Sequence, residues 1–560
     1  MNSYANKLQM QHRLFAELSS MFGKEVPLYD KALLVNKVCN RTVVALLGKM
    51  YPGFSISDAQ LDKTSGERHG AIRIGRPDEY RWIARFFAQF AMEPHNFYDM
   101  ANVGNKSQPI IATAFRSVLN PEHRVFTSLL LTDYFDTKTR ARIENVLGTR
   151  TVFSDNAKRL IEKGEKQGGL DETDANELIR EATRRIFKWT GKARDHQLYK
   201  DLCDAGFKIA ADIACFESHH LNHLTPNTFS MDLYTAAMKF CMGEMPEGEF
   251  RKRANTTLTR LLTFADRDFM KLHFKHITRE QIDGLPKASP TGSDVGSLID
   301  ALVARLGEGD LQLSRLKHAG FKDFTEGPSQ DTPVLLRQDA YKALTEPVTF
   351  TNADGSVVET THTARFGEVE QRFYATTPAG RDLYDKCLTQ GDAQRDKDPS
   401  IVKRDFAAYE SQASGAFAPF PKTLKELVDR DIVYSRFAPT AKGLTANGEV
   451  QSTDMHELVA QGFAQIEGLR YEDFLPVSAA GIFASNLSQY GTKATAVERP
   501  VYTKARLEEI MGKKIIESDE VYQGIQAKSM LETYSRLGLL AKLPADRRNE
   551  LEKQAAAVPA

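Results

Sequence analysis

The sequence predicts an α+β chain in which sparse strands build a central sheet or partial barrel inside large helical blocks. Three observations carry this. Apolar residues recur at spacings of three and four through "YANKLQMQHRLFAELSSMF" and "DKALLVNKVCNRTVVALL", the period of amphipathic helices. Apolar and polar residues alternate in "HGAIRIG", the period of a strand. β-Branched and aromatic residues crowd "SQPIIATAFRSV", "HRVFTSLLL" and "EPVTFTNADGSVVETTHTARFGEVEQRFYATTP", the last around an Asp-Gly hairpin turn.

Taken in order, residues 4–50 read as helices, and a strand at 68–75 follows. A helix is expected in "PDEYRWIARFFAQFAM", where Pro77 suits a first-turn position. Strands are expected within 110–130, then a long helical stretch over about 137–212. The segment "CFESHHLNHLTPNTF" interrupts the helices and reads as extended over 219–226. Helices resume to about 320, broken by the loop "LPKASPTGSD". Strands return at 333–350 and 356–376, and after 400 helix and loop alternate. The chain thus divides into N-terminal helices with a first strand module (1–135), a helical segment leading to a second histidine strand (136–228), a helical insertion (229–320), a second β module (321–495) and a helical tail (496–560).

Composition narrows the function classes. The chain carries 74 basic and 74 acidic side chains, so nothing favours a nucleic-acid or membrane-surface partner, which usually demands a basic surplus. Its five cysteines are scattered, with no CxxC, which suits a reducing compartment and argues against a disulfide framework or a thiolate zinc site. No run approaches ~18 apolar residues, and the N-terminus lacks the apolar core of a signal peptide. A cytoplasmic protein is the expectation.

Three segments could carry chemistry. In "ESHHLNHLTP", His219 and His223 would share a helix face, as zinc-binding pairs do, but Pro226 and its polar neighbours favour an extended chain. In "ARFGEVEQRFYATTP", a strand puts Glu368, Glu370 and Arg372 on one face; one carboxylate could bind a metal while the other pairs with Arg372. The competing reading is a solvated edge strand. In "GERHGAIRIG", His69 and Arg73 share a strand face about 13 Å apart, and a guanidinium is the preferred partner of a carboxylate. Two histidines and one carboxylate from three separate strands form the donor set that suits non-haem Fe(II) with open positions. Arg337, Gln338 and Lys342 in "LLRQDAYKAL" are further polar candidates; Arg337 and Gln338 face opposite ways on a strand, and a structural ion pair is the readier role for Arg337.

The blocks "GERHGAIRIG", "LNHLTP", "PVLLRQDAYKALTEPV", "HTARFGEVEQRFYATTPAGRDLYD" and "EDFLPVSAAGIFASNL" resemble the 2-oxoadipate dioxygenase/decarboxylase family, of the vicinal oxygen chelate superfamily. They run from about residue 40 to 490. The resemblance implies a vicinal-oxygen-chelate-like sheet and one Fe(2+) ion held by His69, His223 and a glutamate of "FGEVEQR". A related superfamily enzyme, 4-hydroxyphenylpyruvate dioxygenase, carries its iron glutamate in F-x-E-x-x-Q-R, which selects Glu368 and leaves Glu370 as the fallback. It further implies that Arg73 clamps a substrate carboxylate and that Val477 and Ser478 contact substrate. The implied reaction converts 2-oxoadipate and O2 into 2-hydroxyglutarate and CO2 in lysine catabolism. Competing readings are another reaction of the same superfamily on a different 2-oxo acid, a zinc hydrolase using "HHLNH", and a non-catalytic binding protein.

Overall fold

The computed structural model describes residues 4–102, 107–322, 325, 327–398, 400–446, 450–475 and 501–558. The alternating segment forms β1 (Glu67–Ile74), the penultimate strand of a five-stranded sheet. Its companions are β2 (Met92–Asp99), β3 (Ile110–Ser117), β4 (Arg124–Leu130) and β6 (His223–Pro226), in the order β2-β3-β4-β1-β6. β4 runs parallel to β1 and β6 antiparallel to it. The register sorts the side chains. Ile72, Ile74, Phe115, Val125 and Leu129 join one core, against the helix Pro77–Ala88. That helix buries Tyr80, Ile83 and Phe87, and the Tyr80 hydroxyl donates to the Thr127 carbonyl at 2.7 Å. Each such apolar side chain contributes roughly 1.5–3 kcal/mol. The other face carries His69, Ala71 and Arg73 beside Arg124, Phe126 and Ser128 of β4. Its small residues, Ala71, Ala112 and Ala114, leave room above the sheet.

A second ladder completes the site. β7 (Leu336–Ala340) pairs antiparallel with β10 (Glu368–Arg372), Glu368 opposite Ala340 and Gln371 opposite Arg337. It docks on the free edge of β6: the Thr228 amide donates to the Glu370 carbonyl at 2.8 Å and the Phe366 amide to the Asn222 carbonyl at 3.2 Å. β1, β6 and β10 therefore lie side by side. Two buried asparagines hold the end of β6. Asn36 and Asn40, one turn apart on the helix Pro27–Met50, donate to the Asn227 carbonyl at 2.9 and 3.1 Å. Elsewhere β5 (Lys192–Arg194), β8 (Leu344–Thr351) and β9 (Val357–Arg365) form a three-stranded sheet, and β11 (Ser435–Pro439) pairs with β12 (Ala464–Gly468).

The α+β class holds, with corrections. The predicted strand over 333–350 is two, β7 and β8. Only 223–226 of the predicted 219–226 is strand. The helical stretch over 137–212 is interrupted by a π turn at Ala182–Ile186 and by β5. β2 went unpredicted because Pro94 and a bulge between His95 and Phe97, with Asn96 at φ 57°, break its alternation. β11 and β12 were missed as well; both are five residues long, too short for a clear period. No helix among the described residues is long and apolar enough to cross a membrane.

Candidate metal centre

His69 leaves β1 from the face that looks toward β10, and His223 stands opposite Ala71 on β6, so both imidazoles rise from one side of the sheet. Glu368, first residue of β10, reaches them across β6. Its Oε2 lies 3.3 Å from His69 Nε2 and 3.5 Å from His223 Nε2, and accepts from Thr225 Oγ1 at 3.2 Å. Among the described residues these three are the one group of three or more His, Cys, Asp or Glu whose ligand atoms all lie within 4.8 Å of one another. All three are buried, which excludes the solvated-edge reading of β10.

The donor set fits a divalent first-row metal. Two imidazole nitrogens and one carboxylate oxygen leave coordination positions for other ligands. Burial pushes His223 down to about 4, so its ring is neutral near pH 7 and offers a lone pair. For Glu368 burial acts upward, yet the neighbouring imidazoles outweigh it and hold the carboxyl below its usual range.

Glu370 plays a different part. It shares the face of Glu368, but its Oε2 stands 2.9 Å from His69 Nδ1, the nitrogen that does not face Glu368. Its Oε1 accepts from Arg124 at 2.5 Å and Arg372 at 2.7 Å. Burial acts upward on this carboxyl too, and the two guanidiniums drive it well below the carboxylate range. Glu370 thus stands behind the His69 ring, ion-paired to two guanidiniums, and not in the cluster with Glu368. Aromatic rings wall the cluster: Phe474 lies 4.9 Å from the His69 ring and Phe366 stacks on His223 at 5.1 Å.

The remaining candidates fall apart from the triad. Arg73 is buried and Nη1 donates to Asp212 Oδ2 at 2.5 Å. Asp212 also faces His220 Nε2 at 3.2 Å and His362 Nε2 at 3.0 Å. His219 faces Glu79 at 3.2 Å. Of "HHLNH" only His223 joins the cluster, so the segment is not itself a zinc site. Arg337 points to the opposite face of β10/β7 and pairs with Asp232 at 2.6 Å, the structural role. Val477 and Ser478 lie outside the described residues. Sequence reasoning missed Asp212, Arg124, Thr225, Phe366 and Phe474; Asn36 and Asn40, four apart on an apolar helix face, were the signal available for the β6 anchor.

A family model for 2-oxoadipate dioxygenase/decarboxylase matches residues 14–247 and 290–486. The 2-oxoadipate dioxygenase/decarboxylase of Pseudomonas putida is 31% identical over 508 residues, covering 88% of this chain and 91% of that protein. Its namesake from Escherichia coli is 28% identical over 540 residues, covering 95% and 98%. The crystal structure of the Pseudomonas putida hydroxyglutarate synthase in complex with 2-oxoadipate superposes with a TM-score of 0.66 at 28% identity, covering 96% of this chain and 100% of that one.

Proposed function

The chain belongs to the 2-oxoadipate dioxygenase/decarboxylase family, and from that premise we propose that it converts 2-oxoadipate and O2 into 2-hydroxyglutarate and CO2 with the help of iron(II). The observation that carries this reading is the meeting of His69, His223 and Glu368 from three adjacent strands in a chain matched along most of its length. The setting that the resemblance implies is lysine catabolism, and composition suits a cytoplasmic protein.

In this reading His69, His223 and Glu368 hold the iron, and Glu370 fixes the tilt of the His69 ring. The ion supplies Lewis acidity and a common point for the 2-oxo acid and O2. The chain's own residues do the rest. Arg73, from the same face of β1, pairs with a substrate carboxylate and sets which carbon lies nearest the centre. A guanidinium has five N–H donors, and Asp212 engages it at Nη1, so Asp212 also fixes its angle of presentation. Phe366 and Phe474 exclude water from the imidazoles. Val477 and Ser478 complete the substrate contacts in the proposal.

The test is anaerobic loading with iron(II), followed by oxygen-electrode assays across 2-oxo acids of varied chain length. The expected result is uptake that peaks with 2-oxoadipate, releasing one CO2 and one 2-hydroxyglutarate per O2 consumed. Iron-loaded protein that consumes no oxygen with any of these acids would overturn the reading.

A further inference from the structure

We propose that a groove on the far side of β7 from the metal centre binds a small metabolite through an anionic group, a phosphate or a carboxylate. Strand alternation puts Gln338 on the metal side of β7 and Arg337 on the other. There Arg337 walls a cavity of about 380 Å³, closed on its opposite side by the helix Glu247–Phe264. That volume lies in the range of small-molecule sites and exceeds what a bare inorganic ion fills.

The floor is built for an acceptor. The Arg337 side chain is only 7% exposed. Nη2 serves Asp232, while Nε and Nη1 have no hydrogen-bond partner among the described residues. Buried polar groups are almost always paired, so a permanent cation with two unmet donor atoms at the wall of a cavity is a feature to be explained. The rim adds charge. Helix positions 249, 252, 253, 256, 257 and 260 recur at three and four and face the groove, while Phe250, Ala254, Leu258 and Leu261 enter the core. Among the described residues the lining holds Lys252, Arg253, Arg260 and Arg337 against Asp232 and Glu249, an excess of two positive charges. Glu249 is already engaged by Arg253 at 2.7 Å.

The groove also gives the central helical block a role. The family model passes over 248–289, which holds almost all of the walling helix, whereas Asp232, Gln330 and Arg337 lie in matched segments. The site is assembled between the shared sheet and the part of this chain that the model does not match. It does not depend on the reaction proposed above.

The experiment is isothermal titration of the full-length, metal-loaded protein with inorganic phosphate and, separately, with glutarate. The double charge reversal K252E/R260E is the comparison; it alters rim positions that keep out of the core, and its melting midpoint reports folding. We expect the wild type to bind at least one of the two anions with one-to-one stoichiometry. The reversal should weaken that binding roughly tenfold while leaving the KM for 2-oxoadipate unchanged. The stronger arm identifies the anionic group. Binding of neither anion, or equal binding by wild type and double variant, overturns the proposal; the latter would put the anion at the metal centre or elsewhere.

Discussion

Two buried clusters of histidine and carboxylate stand on this sheet, and they behave differently. One is His69, His223 and Glu368; the other is Asp212 with His220, His362 and Arg73. Both draw a histidine from the same short segment "SHHLNH". In the second cluster a fixed cation is part of the set: Arg73 lies 2.5 Å from the Asp212 carboxylate, so that anion has its counter-charge inside the fold. In the first, the groups in contact with Glu368 are two imidazoles and a hydroxyl, and the charge of Lys322 adds a smaller pull. The His223 ring, neutral near pH 7, has a lone pair to offer beside the Glu368 carboxylate, and a metal ion could take both donors. Residue types alone do not separate a metal centre from an ion-pair knot. A guanidinium seated against the carboxylate, as at Asp212, does.

The strongest way to break this contrast is His69→Ala. Metal content should fall to background and oxygen uptake by about a thousandfold or more, read by metal analysis and oxygen electrode on the same sample. A variant that still bound one equivalent of iron would remove His69 from the ligand set. Glu370→Gln probes the carboxylate behind the ring. Loss of an orienting carboxylate typically weakens metal affinity about 10–100-fold. It also leaves Arg124 and Arg372 buried without their shared negative charge, so a fall in melting midpoint should accompany the weaker binding. Wild-type metal affinity in a folded Glu370→Gln protein would refute the orienting role.

Arg73→Ala crosses between the clusters. It should raise KM and lower kcat together, because the clamp both binds the substrate and aims it. The expected loss in kcat/KM is about 10–100-fold, from steady-state oxygen uptake. Asp212→Asn sharpens the point with a smaller effect. The guanidinium keeps its charge and loses its anchor, so a several-fold rise in KM with iron content intact is expected. Unchanged kinetics would mean that Asp212 serves the fold alone.

Much of this was legible in the residues. Alternation in "HGAIRIG" places His69 and Arg73 on one face, and the register agrees. The same rule made Glu368 and Glu370 indistinguishable, since residues two apart share a face. What separates them in space is Arg124, 246 positions from Glu370 in sequence, and no local pattern announces that partner. Asp212 was hidden for the same reason. It sits on the helix Lys208–Cys215, where one acid among apolar residues reads as solvent-facing, and only tertiary packing turns it toward Arg73. β2 was lost to a bulge, which erases the period that sequence reading depends on.

A fourth buried carboxylate completes the comparison and gives the smallest effect. Asp339, on the outer face of β7, accepts from the hydroxyls of Thr235 and Thr325 at 3.0 Å and from the Ala340 amide at 2.8 Å. Hydroxyls and one amide compensate burial less than guanidiniums do. Burial pushes the carboxyl up to about 6, against the pull of the charges of Lys322 and Lys239. Its ordinary value is about 3.9, so the folded chain holds this proton more tightly than the unfolded one. The stabilisation is complete below pH ~4 and is lost as pH rises toward 6. The ceiling is roughly 3 kcal/mol, at about 1.4 kcal/mol per unit. Asp339→Asn removes the titration. Thermal melts between pH 4 and 8 should therefore show the midpoint of the variant gaining on the wild type from pH 4 to about 6 and running parallel above it, with turnover unaffected. A difference that stays flat across that range would mean that hydroxyls serve this carboxylate as well as guanidiniums serve Glu370.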